Sequence, residues 1–550
     1  MMAELEQANF GVSLASPRVG VTDKIERALF WLLIGFCVAP VWSMQYLPTQ
    51  DGPSHVYNAV MLRDFARGGG AVFRRFFEIN PRLSPNLLGH YLMAALMFLV
   101  SPWTAEKILV SLCVVLLPLS ARYAAGRVDR RGTIFAFLIF PLIYSRLLNK
   151  GLYNNCLALP LYFYFVGYWI SRSGRFNARS ALGLLGLSLL LYFSHAVALL
   201  EAYMTVGLWS VGVLVMDARA GRRPGMWRRM VLPLAALAPS LLLTKVFFDG
   251  EASQAMGHTF RNLVISLVRF DCLISYRKSE TIWSMSVLGL FLMLGMAGLW
   301  RMFCRKAVRD DLLLLGVVAT VVCYFITPNN AAGGGLISAR LLLFIALAAV
   351  PWLACTPLPA VARLIVGGAS AALCVVFVGT YTFRNQQFNA YLDEYALCAA
   401  HIPPGSTLLP ICISDHGIGA DGKALSILPG VRVFLHASSR IAVERGLIDL
   451  SNYEAMEDYF PIRFRVNLSP RGCIDGFGRG LLGYGASTGG QANVDYVLVW
   501  SIREGDGQHR ETAEDKQGYK EAMRQVQQGY QLVYTSPHGF LRLYRRNDIR

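Results

Sequence analysis

The sequence predicts a polytopic α-helical membrane protein of about eleven to thirteen spans, ending in a water-soluble α/β or α+β domain. Three observations predict it. Hydrophobic residues make up 54% of the 550-residue chain and charged residues only 16%, against about 25% charged in a soluble globular domain. Apolar runs long enough to cross lipid recur between residues 28 and 383. From about residue 384 charged and turn residues appear, and short strand-like and helix-like runs alternate to residue 550.

The elements follow in order. Residues 1–27 are polar and mixed in charge, and read as a cytoplasmic N-terminus. The run from Ala28 to Met44 reads as a retained first span, since no small-residue cleavage site follows it. Residues 45–86 form a long polar outer loop. Apolar runs follow at about 87–101, 105–120, 133–148, 155–171, 181–216, 230–248, 282–300, 311–327, 339–355 and 363–381. The 181–216 run would be roughly 54 Å long as one helix, nearly two bilayer cores of about 30 Å. It therefore reads as a helical hairpin turning near His195 to Glu201.

Arginines set the orientation. Arg122, Arg127, Arg130 and Arg131 share one short loop, and Arg172, Arg175 and Arg179 a second. Arg219, Arg222, Arg223, Arg228 and Arg229 fill a third, and Arg301, Arg305, Lys306 and Arg309 a fourth. Short loops rich in Arg and Lys stay cytoplasmic. The loops at 45–86, 146–154, 249–281 and 328–338 then lie outside, as does the C-terminal domain. These runs give twelve crossings, whereas an inner N-terminus and an outer C-terminus need an odd number. The stretch 87–131 carries the discrepancy, because its two apolar runs are short and flank Ser101-Pro102-Trp103.

In the C-terminal domain Ser406–Ile413 and Val494–Trp500 read as buried strands, and Tyr519–Tyr530 as an amphipathic helix. Gln531–Tyr534 and Phe540–Tyr544 read as a closing hairpin around Pro537-His538-Gly539. Cys412 and Cys473 would pair if this domain lies in an oxidising compartment. The formal net charge of +17 does not imply a nucleic-acid partner, since the basic residues sit in scattered loops and form no single stripe. The eleven cysteines include no pair at zinc-ligand spacing.

The most informative segment is Pro48-Thr49-Gln50-Asp51-Gly52-Pro53-Ser54-His55, where the first span meets the outer interface. Gly52 and Pro53 break the helix there and hold the Asp51 carboxylate at the rim. His55, four residues on, would stay close, giving a general base or a substrate-orienting pair. The competing reading is that Asp51 merely caps a helix from Pro53 to Arg67. Other polar groups gather on the same outer face: Lys150, Asn154 and Asn155 in one loop, His195 and Glu201 at the hairpin turn, and Arg340 beside Asn329, Asn330 and Gly333-Gly334-Gly335. Polar groups at membrane depth are costly and face a cavity or a partner. Phe260–Phe270 is apolar with cationic ends and reads as a helix on the membrane surface, and residues 56–77 have a similar character. His436 and Asn452-Tyr453-Glu454 are candidates for contact with an acceptor.

An acidic residue opening a long outer loop with interfacial helices, about a dozen spans and an outer C-terminal domain together resemble the C-type (GT-C) membrane glycosyltransferase fold. The stretch from Asp51 to Ala59 is also similar to the opening of bacterial membrane proteins of this general type. The resemblance implies a polyprenyl-phosphate-linked sugar as donor and an extracytoplasmic glycan, lipid or protein as acceptor. It also implies inverting transfer with Asp51 as general base, and Arg340 or Lys150 offsetting the charge of the leaving phosphate. The expected location is the inner (plasma) membrane. Gly52 follows Asp51 where such proteins often carry a second acid, so no metal and no other cofactor is indicated. Two other classes fit the composition: a transporter or flippase of lipid-linked saccharide, and a non-catalytic glycan-binding membrane protein. A transporter favours ionisable residues near the midplane and internal repeats, whereas here the polar groups collect at one rim.

Overall fold

The computed structural model describes residues 21–549 apart from 174, 222–225, 251–256, 305–306, 332–333, 415, 420, 427–429 and 503–512. Gly333, Arg222, Arg223, Arg305 and Lys306 therefore lie outside the described residues.

Eighteen helices and seven strands are described. Helix α1 (Val21–Ser43) runs into a loop that holds α2 (Gly52–Ala66), α3 (Ala71–Phe76), strand β1 (Phe77–Ile79) and α4 (Leu88–Leu96). Then come α5 (Pro102–Val128), a 3₁₀ segment (Arg130–Leu142), α6 (Arg146–Asn149), α7 (Tyr153–Arg172), α8 (Ala178–Ser194), α9 (Ala196–Arg219) and α10 (Met226–Asp249). Helices α11 (Phe260–Arg269), α12 (Glu280–Cys304), α13 (Leu314–Ile326), α14 (Ile337–Leu353) and α15 (Ala360–Ala396) complete the bundle. Among the described residues seven segments are long and apolar enough to cross a membrane: Val21–Ser43, Pro102–Val128, Arg130–Asn149, Ala196–Arg219, Val231–Asp249, Glu280–Cys304 and Ala360–His401.

The contacts sort the helix ends into two sets. One end gathers Asp51 with Lys150, Leu87 with Phe193, and Tyr276 with Asn385. The other gathers Arg363 with Asp23 and Glu26, Arg122 over Phe30, Arg309 with Ser173, and Arg301 with Asp311. The described arginines of the predicted cytoplasmic loops fall at this second end. Followed from end to end, α1, α5, 130–149, α7, α8, α9, α10, α12, 309–326, α14 and α15 make eleven passages among the described residues. The expected span at 87–101 is corrected: α4 has nine residues, about 14 Å, and it stays at the first end. Helix α5 makes the crossing alone. It is capped by Ser101, whose hydroxyl accepts from the Thr104 amide at 3.2 Å, and Pro102 starts it.

Helix α15 has 37 residues, about 55 Å, far more than a bilayer core. It passes residue 384 unbroken and feeds the C-terminal domain. There β2 (Thr407–Cys412), β3 (Ile448–Asp449), β4 (Ile462–Phe464), β5 (Tyr496–Trp500), β6 (Tyr530–Thr535) and β7 (Leu541–Arg546) are joined by α16 (Ser438–Arg445), α17 (Tyr484–Ser487) and α18 (Ala513–Gly529). The five-stranded sheet has the order β3-β2-β5-β7-β6. Strand β2 is parallel to both β3 and β5, and β7 is antiparallel to β5 and β6. The sheet is thus mixed α/β, with the predicted strands and closing hairpin in place. The expected disulfide is not formed: the Cys412 and Cys473 sulfurs are not joined and lie against the carbonyls of Ser414 and Gly480 respectively.

The domain is fastened to the loop between α1 and α5 by backbone and side chain. Strand β1 pairs with β4 across Phe77↔Phe464 and Ile79↔Ile462. The Tyr57 hydroxyl donates to the Leu447 carbonyl at 2.8 Å, and Ser54 and Asn58 both bond to Asn452. This corrects the surface placement of residues 56–77. Twelve of the fifteen residues of α2 are buried, from Gly52 to Leu62 and at Phe65, because the C-terminal domain covers the face that would otherwise meet lipid. Helix α11 does present an apolar outer face, with Phe260, Ile265 and Val268 exposed.

Cysteines placed one at a time by Ser101→Cys, Ser173→Cys and Ser469→Cys test the eleven passages. An impermeant maleimide should label positions 101 and 469 from one side of the membrane and position 173 from the other. Labelling of 101 and 173 from the same side would contradict a single crossing by α5.

Candidate active site

Residues 46–51 turn the chain from α1 into α2, and small residues set how closely this turn packs. A Cβ on Gly52 would lie 2.2 Å from Thr49 Oγ1 and 2.4 Å from the Tyr153 hydroxyl. Gly151 has φ +80°, and a Cβ there would lie 2.5 Å from the Gly52 nitrogen. Glycine is required at both positions, at the second by conformation as well as by space. The result is a backbone bond from the Asp51 amide to the Lys150 carbonyl, 2.9 Å. Gly52 and Pro53 therefore begin α2 under a tight contact instead of ending α1.

Asp51 does not cap α2. It has helical φ and ψ of −99° and −16°, and its side chain accepts no hydrogen bond from the helix. Its Oδ1 instead accepts from Gln50 Nε2 at 3.0 Å and lies 3.7 Å from His436 Nε2. Gln50 is held by Lys150, whose ammonium donates to Gln50 Oε1 at 3.0 Å, and by the Arg432 amide at 3.2 Å. His436 stacks on Tyr453 with ring centroids 4.5 Å apart. Burial pushes the His436 imidazole below its ordinary pKa, against the upward pull of Asp51, Asp449 and Glu454. At neutral pH Asp51 therefore faces an uncharged ring.

Asp51 lines a cavity of about 250 Å³ at the end of the bundle under the C-terminal domain. His55, Asn154, His195 and Arg340 line the same cavity, as do Tyr453, Tyr459 and Phe460 from the domain. His195 is the one-residue junction between α8 and α9, with extended φ and ψ of −164° and 126°, and its Nδ1 accepts from the Val197 amide at 3.2 Å. Arg340 is one turn into α14. One of its Nη atoms donates to the Gly335 carbonyl, while its buried Nε has no hydrogen-bond partner among the described residues. Both side-chain atoms of Asn155, another lining residue, are likewise buried without partners among the described residues. The cavity thus offers one carboxylate, one guanidinium with an unused donor and an unpaired amide inside walls of Tyr, Phe and Leu, the composition of a small-molecule site.

Two expected residues do not line this cavity. The Lys150 ammonium reaches Gln50, which in turn donates to Asp51. Glu201 lies six residues beyond the turn at His195, about 9 Å along α9, where its Oε2 accepts from Thr320 Oγ1 of α13 at 2.8 Å. The turn is a single residue, so the helix carries Glu201 into the bundle. Asn154 lines the cavity, yet its amide is engaged with α4 and the residue two before it: Oδ1 accepts from the Gly89 amide at 2.6 Å, and Nδ2 donates to the Asn86 carbonyl at 2.8 Å and lies 3.3 Å from His90 Nδ1. Sequence reasoning missed His90, Tyr459 and Phe460. No local pattern marks them, since each reaches the site by tertiary packing.

His55 turns toward a second group behind the cavity wall. Its Nδ1 lies 3.1 Å from His90 Nε2 and 2.7 Å from Glu454 Oε1, and His90 Nε2 lies 2.7 Å from Glu454 Oε2. Burial raises the Glu454 carboxyl, but the two imidazoles pull it further the other way, well below the ordinary carboxylate range. Burial likewise opposes charge on His55, yet Glu454, with Asp51 and Glu106, holds it above its ordinary value.

The crystal structure of ArnT from Cupriavidus metallidurans, bound to undecaprenyl phosphate, is similar to this chain with a TM-score of 0.51. The match covers 96% of this chain and 98% of that one at 11% sequence identity. No family model matches the chain, and no curated protein sequence matches it. The likeness shows the fold: this is a multi-pass membrane protein with a GT-C-like fold and a C-terminal α/β region.

Gly151→Ala tests the packing that places Asp51. The variant should lose on the order of 2 kcal/mol of stability, from the positive φ and the contact with Gly52. A lowered thermal midpoint in detergent measures it, and an unchanged midpoint would show that the turn is not tightly packed.

Proposed function

We propose that the protein is a membrane glycosyltransferase that moves a sugar from a polyprenyl-phosphate donor to an extracytoplasmic acceptor, inverting the anomeric centre. One observation carries this reading: the Asp51 carboxylate and the Arg340 guanidinium line the same small cavity at the membrane rim. The similar ArnT structure holds undecaprenyl phosphate, a lipid of the class proposed here as leaving group.

In the proposed step Asp51 takes the proton of an acceptor hydroxyl or amine. The freed electron pair attacks the anomeric carbon from the face opposite the phosphate. The bond from that carbon to the phosphate oxygen breaks, and polyprenyl phosphate leaves with the electron pair. Arg340 offsets its charge with donors aimed at the phosphate oxygens. Gln50 orients the carboxylate, and Lys150 positions Gln50. Neutral His436, 3.7 Å from Asp51 Oδ1, leaves the carboxylate free to accept the acceptor's proton. Tyr453 and Tyr459 supply flat walls for a sugar ring.

A lipid donor accounts for the location. The tail remains among the helices while the head reaches the cavity. The arginines at the opposite end of the bundle support placing that end in the cytoplasm and the C-terminal domain outside the inner membrane. Asn154 supports the wall through α4, and Glu201 serves packing between α9 and α13 rather than the substrate.

The experiment offers radiolabelled polyprenyl-phosphate sugars and candidate acceptors to protein in lipid. Asp51→Asn should lower transfer by about 10²–10⁴-fold with donor binding kept. Arg340→Ala should cost about 10²–10³-fold, and Arg340→Lys should recover part of it. Transfer at the wild-type rate in Asp51→Asn would remove the general base. Donor binding with no transfer in the wild type would remove the enzyme.

A further inference from the structure

We propose that His55, His90 and Glu454 form a binding site for one divalent cation of the zinc class, which locks the C-terminal domain onto the outer loop. The residues lie 35 and 364 positions apart in the chain and come from α2, α4 and the C-terminal domain. The His90 and Glu454 side chains have no exposed surface, and that of His55 is 5% exposed. Three donor atoms, one from each residue, converge so that all lie within 4.8 Å of one another.

Protons satisfy the facing atoms of this cluster only when both imidazoles donate to Glu454. His90 Nδ1 lies 3.1 Å from the Asn86 carbonyl. The same Nδ1 lies 3.3 Å from the Asn154 amide nitrogen, a donor, so it can hold the proton or accept one; with the proton on Nδ1, the lone pair of Nε2 faces Glu454 Oε2 at 2.7 Å. A second proton, on Nε2, relieves that contact but not the others. If His55 Nδ1 is also protonated, two N–H groups stand 3.1 Å apart. If it is not, its lone pair faces Glu454 Oε1 at 2.7 Å. When both imidazoles donate to Glu454 its two oxygens are satisfied, and His55 Nε2 alone of this cluster is buried without a hydrogen bond among the described residues. An unmade bond at a buried polar atom is costly. A cation between Nδ1 of His55, Nε2 of His90 and a Glu454 oxygen turns the facing lone pairs into ligand bonds.

The donor chemistry selects the ion. Two imidazoles and one carboxylate suit zinc and its first-row neighbours, whereas calcium and magnesium take oxygen ligands. Zinc bonds of about 2.0–2.1 Å set tetrahedral donors about 3.4 Å apart. The two imidazole nitrogens stand 3.1 Å apart and each lies 2.7 Å from a different Glu454 oxygen, so the group needs to open by about 0.3–0.7 Å to reach that spacing. The Asn86 carbonyl fixes the His90 ring from behind, as outer partners of metal-bound histidine do. His55 is one helical turn from Asp51, and Glu454 adjoins Tyr453, so the ion would set the spacing between two walls of the cavity.

The test reads metal, not transfer, so its failure is distinct from failure of the glycosyltransferase reading. Full-length protein in lipid nanodiscs is stripped with chelator, exposed to Zn²⁺ alone, desalted, and its metal counted by mass spectrometry. One zinc per chain is expected in the wild type and in Asp51→Asn, with at least a tenfold loss of stoichiometry in Glu454→Gln and His90→Ala. Stripping should lower the thermal midpoint of the wild type, and zinc should restore it, a readout that needs no variant to fold. Co²⁺ should give the visible bands of a tetrahedral nitrogen–oxygen site. Less than a tenth of an equivalent of zinc in the wild type, or full zinc retention in Glu454→Gln, would mean a hydrogen-bonded clasp only and would overturn the proposal.

Discussion

The placement of Asp51 depends on one close backbone approach, that of Gly52 to Gly151. It brings the entrance of α2 against the loop between α6 and α7, and the bond from the Asp51 amide to the Lys150 carbonyl follows from it. The rest of the site is arranged around that joint. Lys150 and Gln50 approach Asp51 from one side and His436 from another. The Thr49–Tyr153–Glu106 chain of hydrogen bonds, 3.1 and 2.6 Å, fills the space below it. Any Cβ at either glycine would push against these groups, so the carboxylate's position is a consequence of backbone packing and not of its own side-chain bonds.

The C-terminal domain completes what the bundle begins. Helix α2 is apolar enough to lie on a membrane, yet it is buried because α16 and the segment from Leu447 to Phe460 cover it. The same contact brings Tyr453, Tyr459 and Phe460 over the cavity and Glu454 between two histidines. The pairing of β1 with β4 makes the loop between α1 and α5 part of the soluble domain. A motion of that domain would therefore change the cavity and the cluster behind it together.

Much of the architecture was legible because it is written in solvent preference. Lipid demands long uninterrupted apolar helices, so the runs after residue 100 translate almost directly into helices. The hairpin at His195 was legible from length alone. The short helix α4 was misread as a span because an apolar run of fewer than about 18 residues satisfies several environments equally well. Glu201 was misplaced for a related reason: turn position within a continuous apolar run leaves no compositional mark. The convergence of Asp51, His55, Asn154, His195 and Arg340 was legible through topology, since all five fall at helix ends on one side.

By itself, then, the sequence determined which long segments are apolar, the two-ended distribution of charge and the position of Asp51 beyond the end of the first long helix. These follow from transfer free energies, which are local properties of composition. Only the tertiary structure decided that α2 is covered instead of lipid-facing, that Lys150 reaches Gln50, and that His55, His90 and Glu454 meet. Those depend on contacts between residues up to several hundred positions apart, chosen by shape and by the pairing of buried polar atoms. Without coordinates, nothing in residue type or spacing distinguishes such a contact from an ordinary solvated histidine or glutamate.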